Sequence, residues 1–164
     1  MKPKRPILHN KLTPEAYWQF ACQYYQTKAN SDVLLDLQNR YHANVNLCLL
    51  LKYIANQQLS IEKADITLLH NTVMKFSAEF TQPLRHLRMQ YKNAKQHIEH
   101  YNALRAHLLK AELTLEQQEQ SVLFAALAKC SVQAKLPSCP FNTYLVELLK
   151  VSKADLDQVI AQLT

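Results

Sequence analysis

Glycine is absent from this chain of 164 residues, although average usage of about 7% would give roughly eleven. Hairpin turns of types I′ and II′ and many β-bulges need glycine, or Asn or Asp in its place. The absence therefore argues against an all-β fold and against a doubly wound α/β fold. Strong helix formers such as Leu, Ala, Gln, Lys and Glu are abundant. Together these features predict an all-α protein.

Long hydrophobic runs are missing as well. The longest covers residues 122–128, far short of the roughly 20 apolar residues that a membrane-spanning helix needs. The first ten residues carry basic charge, but no apolar segment of the kind found in secretory signals follows them. We therefore expect a cytoplasmic protein with no membrane contact.

The four cysteines are scattered without a CxxC pair: Cys22, Cys48, Cys130 and Cys139. Disulfide frameworks and zinc sites use closely spaced cysteine or histidine ligands. His100 and His107 would share a helix face, but they would lie about 10 Å apart along its axis. We predict free, mostly buried thiols, no metal and no other cofactor.

The net charge of +6 is unevenly distributed along the chain. Residues 1–13 carry four basic side chains and no acidic one, and residues 81–110 carry six basic and one acidic. Residues 111–124 carry three acidic side chains and no basic one. The two basic blocks suggest a partner that presents an acidic surface or phosphate groups.

Helix signals predict a flexible basic arm, residues 1–12, followed by one helical domain, residues 13–164, with about seven to eight helices. Thr13 before a proline and a glutamate is typical of a helix start. Asn44 is expected to cap a helix near residues 45–57 that is apolar nearly all round. We expect this buried helix at the centre of the bundle.

Other segments give more local expectations. We expect a break at residues 28–30 with a helix opening at Ser31, and Ser60 as the cap of the fourth helix. An apolar stripe over residues 73–94 keeps its phase across Pro83, which predicts a kinked long helix there, or a restart capped by the preceding threonine.

A second apolar stripe begins at Ile98. Its heptad row comprises Tyr101, Leu108, Leu115 and Val122. No glycine or proline separates the two stripes, so residues 83–129 could form one very long helix. Compactness favours a turn near residues 93–96 and an antiparallel pair of helices. A linker at residues 136–140 precedes a C-terminal helical pair, residues 136–164. Its first helix is expected near residues 142–150, and Ser152 is expected to cap its second.

A group of polar side chains interrupts the apolar helices at the corner between the second and third. The group comprises Gln38, Asn39, Arg40, Asn44 and Asn46. An unpartnered buried polar group costs about 1–3 kcal/mol, so these groups are either satisfied internally or bind a ligand. In the internal arrangement Asn44 caps a helix, Gln38 and Asn46 connect helix ends, and Arg40 is solvated.

A basic row is predicted on one helix face, within about 80° of arc. It consists of Arg85, Arg88, Lys92 and Lys95. Four cations on one face repel one another unless acids balance them. Asp36, Glu112 and Glu119 are the internal candidates, and pairing of Arg85 or Arg88 with the two glutamates is one interpretation. Binding to external phosphate or to an acidic protein surface is the other.

Two motifs resemble a family of small, mainly proteobacterial proteins that is catalogued as a domain of unknown function. They are LQ-x-R…VN-x-x-LL, beginning at Leu37, and P-LR-x-LR, beginning at Pro83, and the resemblance covers roughly residues 14–125. Asn39 stands where the family pattern leads us to expect aspartate. The resemblance implies a cytoplasmic helical protein and no particular activity. It also suggests one coupled cluster of Gln38, Arg40, Asn46, Arg85 and Arg88.

No nucleophile with its base, phosphate-binding loop or placed carboxylate pair is recognisable, so we predict no enzymatic activity. We expect a non-catalytic helical interaction or adaptor protein that binds a protein partner or itself. A basic-face protein associated with nucleic acid or the ribosome is the alternative, and a bundle that binds a small molecule or lipid is a third class. The candidate binding residues are Gln38, Asn39, Arg40, Asn46, Arg85, Arg88, Lys92 and Lys95.

Overall fold

The computed structural model describes residues 10–134 and 138–164. Its helices are α1 (Pro14–Gln26), α2 (Lys28–Tyr41), α3 (Val45–Asn56), α4 (Lys63–Phe76), α5 (Gln82–Asn93), α6 (Tyr101–Leu127), α7 (Pro140–Thr143) and α8 (Lys153–Gln162). Two short strands, β1 (Leu59–Ile61) and β2 (Val132–Ala134), form an antiparallel pair. The predicted all-α fold is confirmed, with this small ladder as an addition. Within the described residues, no helix combines the length and apolar character needed to cross a bilayer.

Helix α3 forms the centre of the core, as predicted. Eight of its twelve residues are buried, and it packs against α1, α2, α6 and α7. Asn44 caps it, because the Leu47 N–H donates to the Asn44 side-chain oxygen at 2.9 Å. An apolar surface on all sides fits a helix that other helices surround. The four cysteines are free thiols, and Cys48 and Cys130 are buried.

The start of α2 differs from the prediction. The helix begins at Lys28, not at Ser31, and the break falls at Thr27. Asn30 lies inside the helix and is buried, and its side chain contacts the end of the chain. The Asn30 side-chain oxygen accepts from the Thr164 N–H at 3.0 Å, and its amide donates to the Tyr24 carbonyl oxygen at 3.1 Å. These tertiary contacts override the usual preference of Asn for a break or a cap.

Ser60 does not cap the fourth helix, so that prediction is wrong. It lies in β1 opposite Gln133 of β2, and α4 begins three residues later at Lys63. Leu59 and Ile61, on either side of Ser60, are buried. Pairing with a strand more than 70 residues away is a non-local contact that a capping pattern does not reveal.

Helical backbone runs from α4 into α5 through a π-helical segment, Ser77–Thr81, and Pro83 stands in the first turn of α5. A proline ring collides with the carbonyl group four residues earlier in a regular α-helix. The wider π turn accommodates the ring within continuous helical backbone, so the long helix predicted across Pro83 is present, with a π turn where a kink was predicted. The restart capped by Thr81 is not formed, because Thr81 is itself helical and makes no side-chain cap.

Helices α5 and α6 form a helical hairpin, with a 3₁₀ turn (Lys95–His97) between them. The predicted turn near residues 93–96 is confirmed. Over residues 82–111, which we call the hairpin, no residue is buried.

Further along α6 the buried residues are Glu112, Glu119, Gln120, Leu123, Ala126 and Leu127. Of the predicted stripe, which ends at Ala126, the heptad row is half-buried and Ala126 is buried, so the apolar spacing identified only part of the buried face of α6.

The C-terminal segment forms two helical elements, as predicted. The first is α7, which begins at Pro140 and continues as a π-helical segment, Tyr144–Leu148. Ser152 caps α8 and accepts from the Asp155 N–H at 3.2 Å. The predicted linker lies partly outside the described residues.

Residues 1–9 of the predicted basic arm, residues 1–12, lie outside the described residues. Its last residues contact the core: Leu12 is buried, and the Tyr53 hydroxyl donates to the Lys11 carbonyl oxygen at 3.1 Å.

Candidate functional site

Arg85 connects three helices through one guanidinium group. From α5 it donates to Glu112 on α6 with Nε at 2.9 Å and to Glu116 on α6 with Nη2 at 2.7 Å. Its Nη1 donates to the Gln38 side-chain oxygen on α2 at 3.2 Å. The Arg85 side chain is 26% exposed. Burial alone would lower the pKa of Arg85, but bonding to Glu116 and Glu112 outweighs it and raises that pKa.

Arg88 shares an acceptor with Arg85. Its Nε donates to the second oxygen of Glu112 at 2.6 Å, so one carboxylate bridges the two arginines. The Glu112 side chain is 10% exposed. Two positive groups on either side of a mostly buried carboxylate satisfy both of its oxygens, which stabilises the contact between α5 and α6.

A second polar group lies where the N-terminus of α3 meets α6. The Asn46 and Asn44 side-chain amides donate to Glu119 Oε2 at 2.8 Å and 3.1 Å. Gln120 donates to the Asn46 side-chain oxygen at 3.1 Å. Glu119 is 1% exposed. Its other oxygen, Oε1, is buried and accepts no hydrogen bond from any residue in 10–134 or 138–164.

Tyr17 supports this second group from α1. Its hydroxyl donates to the Asn46 carbonyl oxygen at 2.7 Å, and the ring is fully buried. Burial raises the pKa of Tyr17 well above its usual value, and Cys48 and Glu119 raise it further. The phenol therefore stays neutral and holds the first turn of α3 in place.

The two polar groups line one cleft of about 510 Å³. Its remaining walls include apolar and aromatic side chains, among them Trp18, Tyr25, Leu35, Leu49 and Leu113. A cleft of this size with several placed polar groups has the properties of a small-ligand or side-chain binding site. The cleft includes residues of α1, α2, α3, α5 and α6.

The structure brings four of the predicted site residues together: Gln38, Asn46, Arg85 and Arg88 all line the cleft. Arg40 lies apart from them. It is exposed and pairs with Asp36 at 3.2 Å and with Asp155 at 3.0 Å. The coupled cluster suggested by the motifs is therefore present without Arg40.

The other three predicted residues also lie outside this cleft. Asn39 is exposed and lines a neighbouring groove that Gln38 and Arg85 share. Lys92 is exposed on α5, but Lys95 is exposed in the 3₁₀ turn after α5, so the four cations do not share one helix as predicted. The basic row is thus divided into two paired arginines and two exposed lysines.

The predicted ion pairs are partly right. Glu112 pairs with both arginines, as expected, but Glu119 pairs with neither and binds the two asparagines instead. Sequence reasoning missed Glu116, although its position one helical turn after Glu112 places both on the same face. Asp36 balances Arg40 and not the basic row.

Metal binding finds no support in this region. Within residues 10–134 and 138–164, no three His, Cys, Asp or Glu side chains are placed to hold a metal ion. Both oxygens of Glu112, and one oxygen each of Glu116 and Glu119, already accept hydrogen bonds from arginines or amides.

The fold and the cleft define a class of protein: an all-α bundle with a carboxylate- and arginine-lined cleft at the base of a helical hairpin. The chain belongs to DUF2390, a protein family of unknown function whose model matches residues 16–123. The match runs from α1 through most of α6 and contains every cleft residue named above. It confirms the resemblance to a family of unknown function. No curated protein and no solved structure matches the chain.

Proposed function

We propose that this protein is a non-catalytic, cytoplasmic interaction protein whose hairpin docks onto an acidic surface of a protein partner. The observation that supports the proposal is the exposure of the hairpin, in which none of residues 82–111 is buried. Two packed helices of this length usually bury one apolar face against the core. On the hairpin, Leu87 and Met89 are 37% and 45% exposed. Because they are two residues apart in α5, they face different sides of the helix, and the hairpin exposes apolar surface on more than one side.

The charge of the hairpin favours an acidic partner. Its exposed cations are Lys92, Lys95, Arg105 and Lys110, and Glu99 is its one acidic residue. None of these four cations takes part in a salt bridge among the described residues. Complementary charge speeds association and selects the partner. Two copies meeting through this surface would repel each other, which argues against self-association there.

Association with nucleic acid or the ribosome is the second candidate. It is supported by the same four cations and by the basic residues at the start of the chain. However, Arg85 and Arg88 are already bonded to Glu112 and Glu116, so only part of the predicted basic row is available to phosphate groups. The exposed Leu87 and Met89 also fit a protein surface better than a phosphate backbone.

The proposal is tested by charge reversal on the hairpin. The double variant Lys92→Glu/Lys95→Glu is compared with Lys129→Glu/Lys153→Glu, which makes the same change at two exposed lysines outside the hairpin. Tagged full-length proteins are expressed at native level, and captured proteins are quantified by mass spectrometry with and without nuclease treatment. We expect a nuclease-resistant partner that the hairpin variant loses and the control variant keeps.

Two outcomes contradict the proposal. A partner retained equally by both double variants would show that the hairpin charges do not contribute to docking. A partner released by nuclease would favour the nucleic-acid candidate. In that case, binding of the purified protein to a labelled RNA should fall steeply as the salt concentration rises.

A further inference from the structure

We propose that the cleft binds an alkylammonium group and that Glu119 is its acceptor. The cleft lies at the base of the hairpin and does not include the four exposed cations of the proposed docking surface. This inference therefore concerns a second binding site with a different kind of ligand.

The first argument is the unequal bonding of the Glu119 carboxylate. Oε2 accepts from both Asn44 and Asn46, whereas Oε1 is buried and accepts from no described residue. Buried carboxylate oxygens without a donor are costly, and native structures rarely keep them. Glu119 lines the cleft, and we infer that a donor bound in the cleft reaches its carboxylate.

The second argument is the charge balance of the cleft. Its formally charged side chains are two arginines and three glutamates: Arg85, Arg88, Glu112, Glu116 and Glu119. The arginines bond to Glu112 and Glu116, which leaves one carboxylate in excess. A positively charged donor would neutralise this excess, whereas a phosphate or carboxylate ligand would add a further negative charge in a partly desolvated site.

The third argument is the apolar part of the lining. Leu35 and Leu49 provide apolar surface against which an alkyl chain can pack. Trp18 and Tyr25 provide aromatic rings, which attract cations through their faces. An ammonium group on an alkyl chain, carried by a free amine or by a lysine of another protein, matches both features.

Trp18 allows ligand binding in the cleft to be followed by fluorescence, because it is the single tryptophan of the sequence and lines the cleft. The full-length protein is titrated with pentylamine, pentanol and pentanoate, and tryptophan fluorescence and calorimetry are recorded at constant ionic strength. We expect saturable binding of pentylamine and at least about tenfold weaker binding of its neutral and anionic analogues. Equal binding of pentanol, or no saturable binding of pentylamine, would overturn the proposal.

The role of Glu119 is tested with Glu119→Gln, which keeps the shape of the side chain and removes its charge. The matched control is Glu62→Gln, the same change at an exposed residue before α4. We expect about tenfold weaker pentylamine binding for the cleft variant and no change for the control. Unchanged binding by a folded Glu119→Gln protein would overturn the assignment.

A second variant keeps the test decisive if Glu119→Gln does not fold. Tyr25→Leu removes one aromatic wall at a position that is 37% exposed. We expect about threefold weaker pentylamine binding, because a cation–aromatic contact is lost while the apolar volume remains. Unchanged pentylamine affinity in this variant would overturn the proposal that an aromatic wall of the cleft binds the ammonium group.

The source of the ammonium group is resolved by two further probes. One is 1,5-diaminopentane, and the other is a capped tripeptide with a central lysine. Tighter binding of the diamine supports the proposal with a free amine as ligand. Tighter binding of the tripeptide supports it with a partner lysine. Failure of both probes to bind contradicts it.

Discussion

At the scale of single residues, the polar cluster is organised by Arg85. Three of its five N–H donors are used, each toward a different side chain, and those side chains belong to α2 and α6. The planar fork of arginine suits several acceptors at fixed angles, and a lysine could not reproduce this arrangement. Arg85 is therefore a structural residue whose position also shapes the wall of the cleft.

Removal of Arg85 should destabilise the fold. Arg85→Ala leaves Glu116 without its guanidinium partner and Glu112 with one partner in place of two. We expect a loss of about 2–3 kcal/mol in the free energy of unfolding, because mostly buried carboxylates would lose charged donors. Urea unfolding, monitored by circular dichroism, measures this loss of stability. Arg105→Ala, at an exposed position on the hairpin, is the control and should change stability by less than about 0.5 kcal/mol. Similar values for the two variants would contradict the structural role.

The acidic partners of Arg85 show what residue-level reasoning could predict. Excess basic charge on one helix and acids on the next indicated ion pairs, and the contact with Glu112 is as predicted. The choice between Glu116 and Glu119 depends on how far one helix slides along the other. That register is set by packing of the whole bundle, so residue spacing did not identify it. Glu119 was also given the wrong partner type, since two amides bind it.

At the scale of elements, helix caps divide into local and tertiary cases. Thr13, Asn44 and Ser152 cap helices as the sequence indicates, because a cap requires only the residues of the first turn. Ser31 and Ser60 follow similar patterns without capping. At Ser31, the buried contacts of Asn30 let α2 begin three residues earlier. At Ser60, strand pairing takes the place of the predicted cap. The central position of α3 was predictable from composition, but the strand pairing that surrounds Ser60 was not.

The Asn44 cap is expected to contribute more than an ordinary cap. Its side chain both caps α3 and donates to buried Glu119, whereas Ser152 caps α8 at an exposed position. We expect Asn44→Ala to cost about 2 kcal/mol, combining a lost cap with a lost donor to a buried carboxylate. Ser152→Ala should cost about 1 kcal/mol. Urea unfolding of both variants gives the comparison, and equal losses would mean that the bond to Glu119 contributes nothing measurable.

At the scale of the whole molecule, burial is distributed very unevenly. Helix α3 lies in the core, while the hairpin has thirty consecutive residues, 82–111, with none buried. Local stability follows buried contacts, so the two regions should open independently. The sequence indicated two apolar stripes in this region and favoured an antiparallel pair over one long helix. It did not indicate that they would extend from the core, because an apolar stripe does not specify whether it meets the core or only its neighbour.

Native-state hydrogen exchange measures this difference directly, and α6 supplies an internal comparison. Residues 101–111 of α6 include no buried residue, whereas its later part includes Leu123 and Leu127, which are buried. The same helix therefore has one half in the hairpin and one half in the core. We expect amides of residues 101–111 to exchange at least about tenfold faster than those of residues 115–127, and α3 amides to exchange most slowly. Under increasing urea, α3 should report global unfolding while the hairpin exchanges through smaller openings. Uniform protection along α6 would mean that the hairpin unfolds together with the core and is not a separate projecting element.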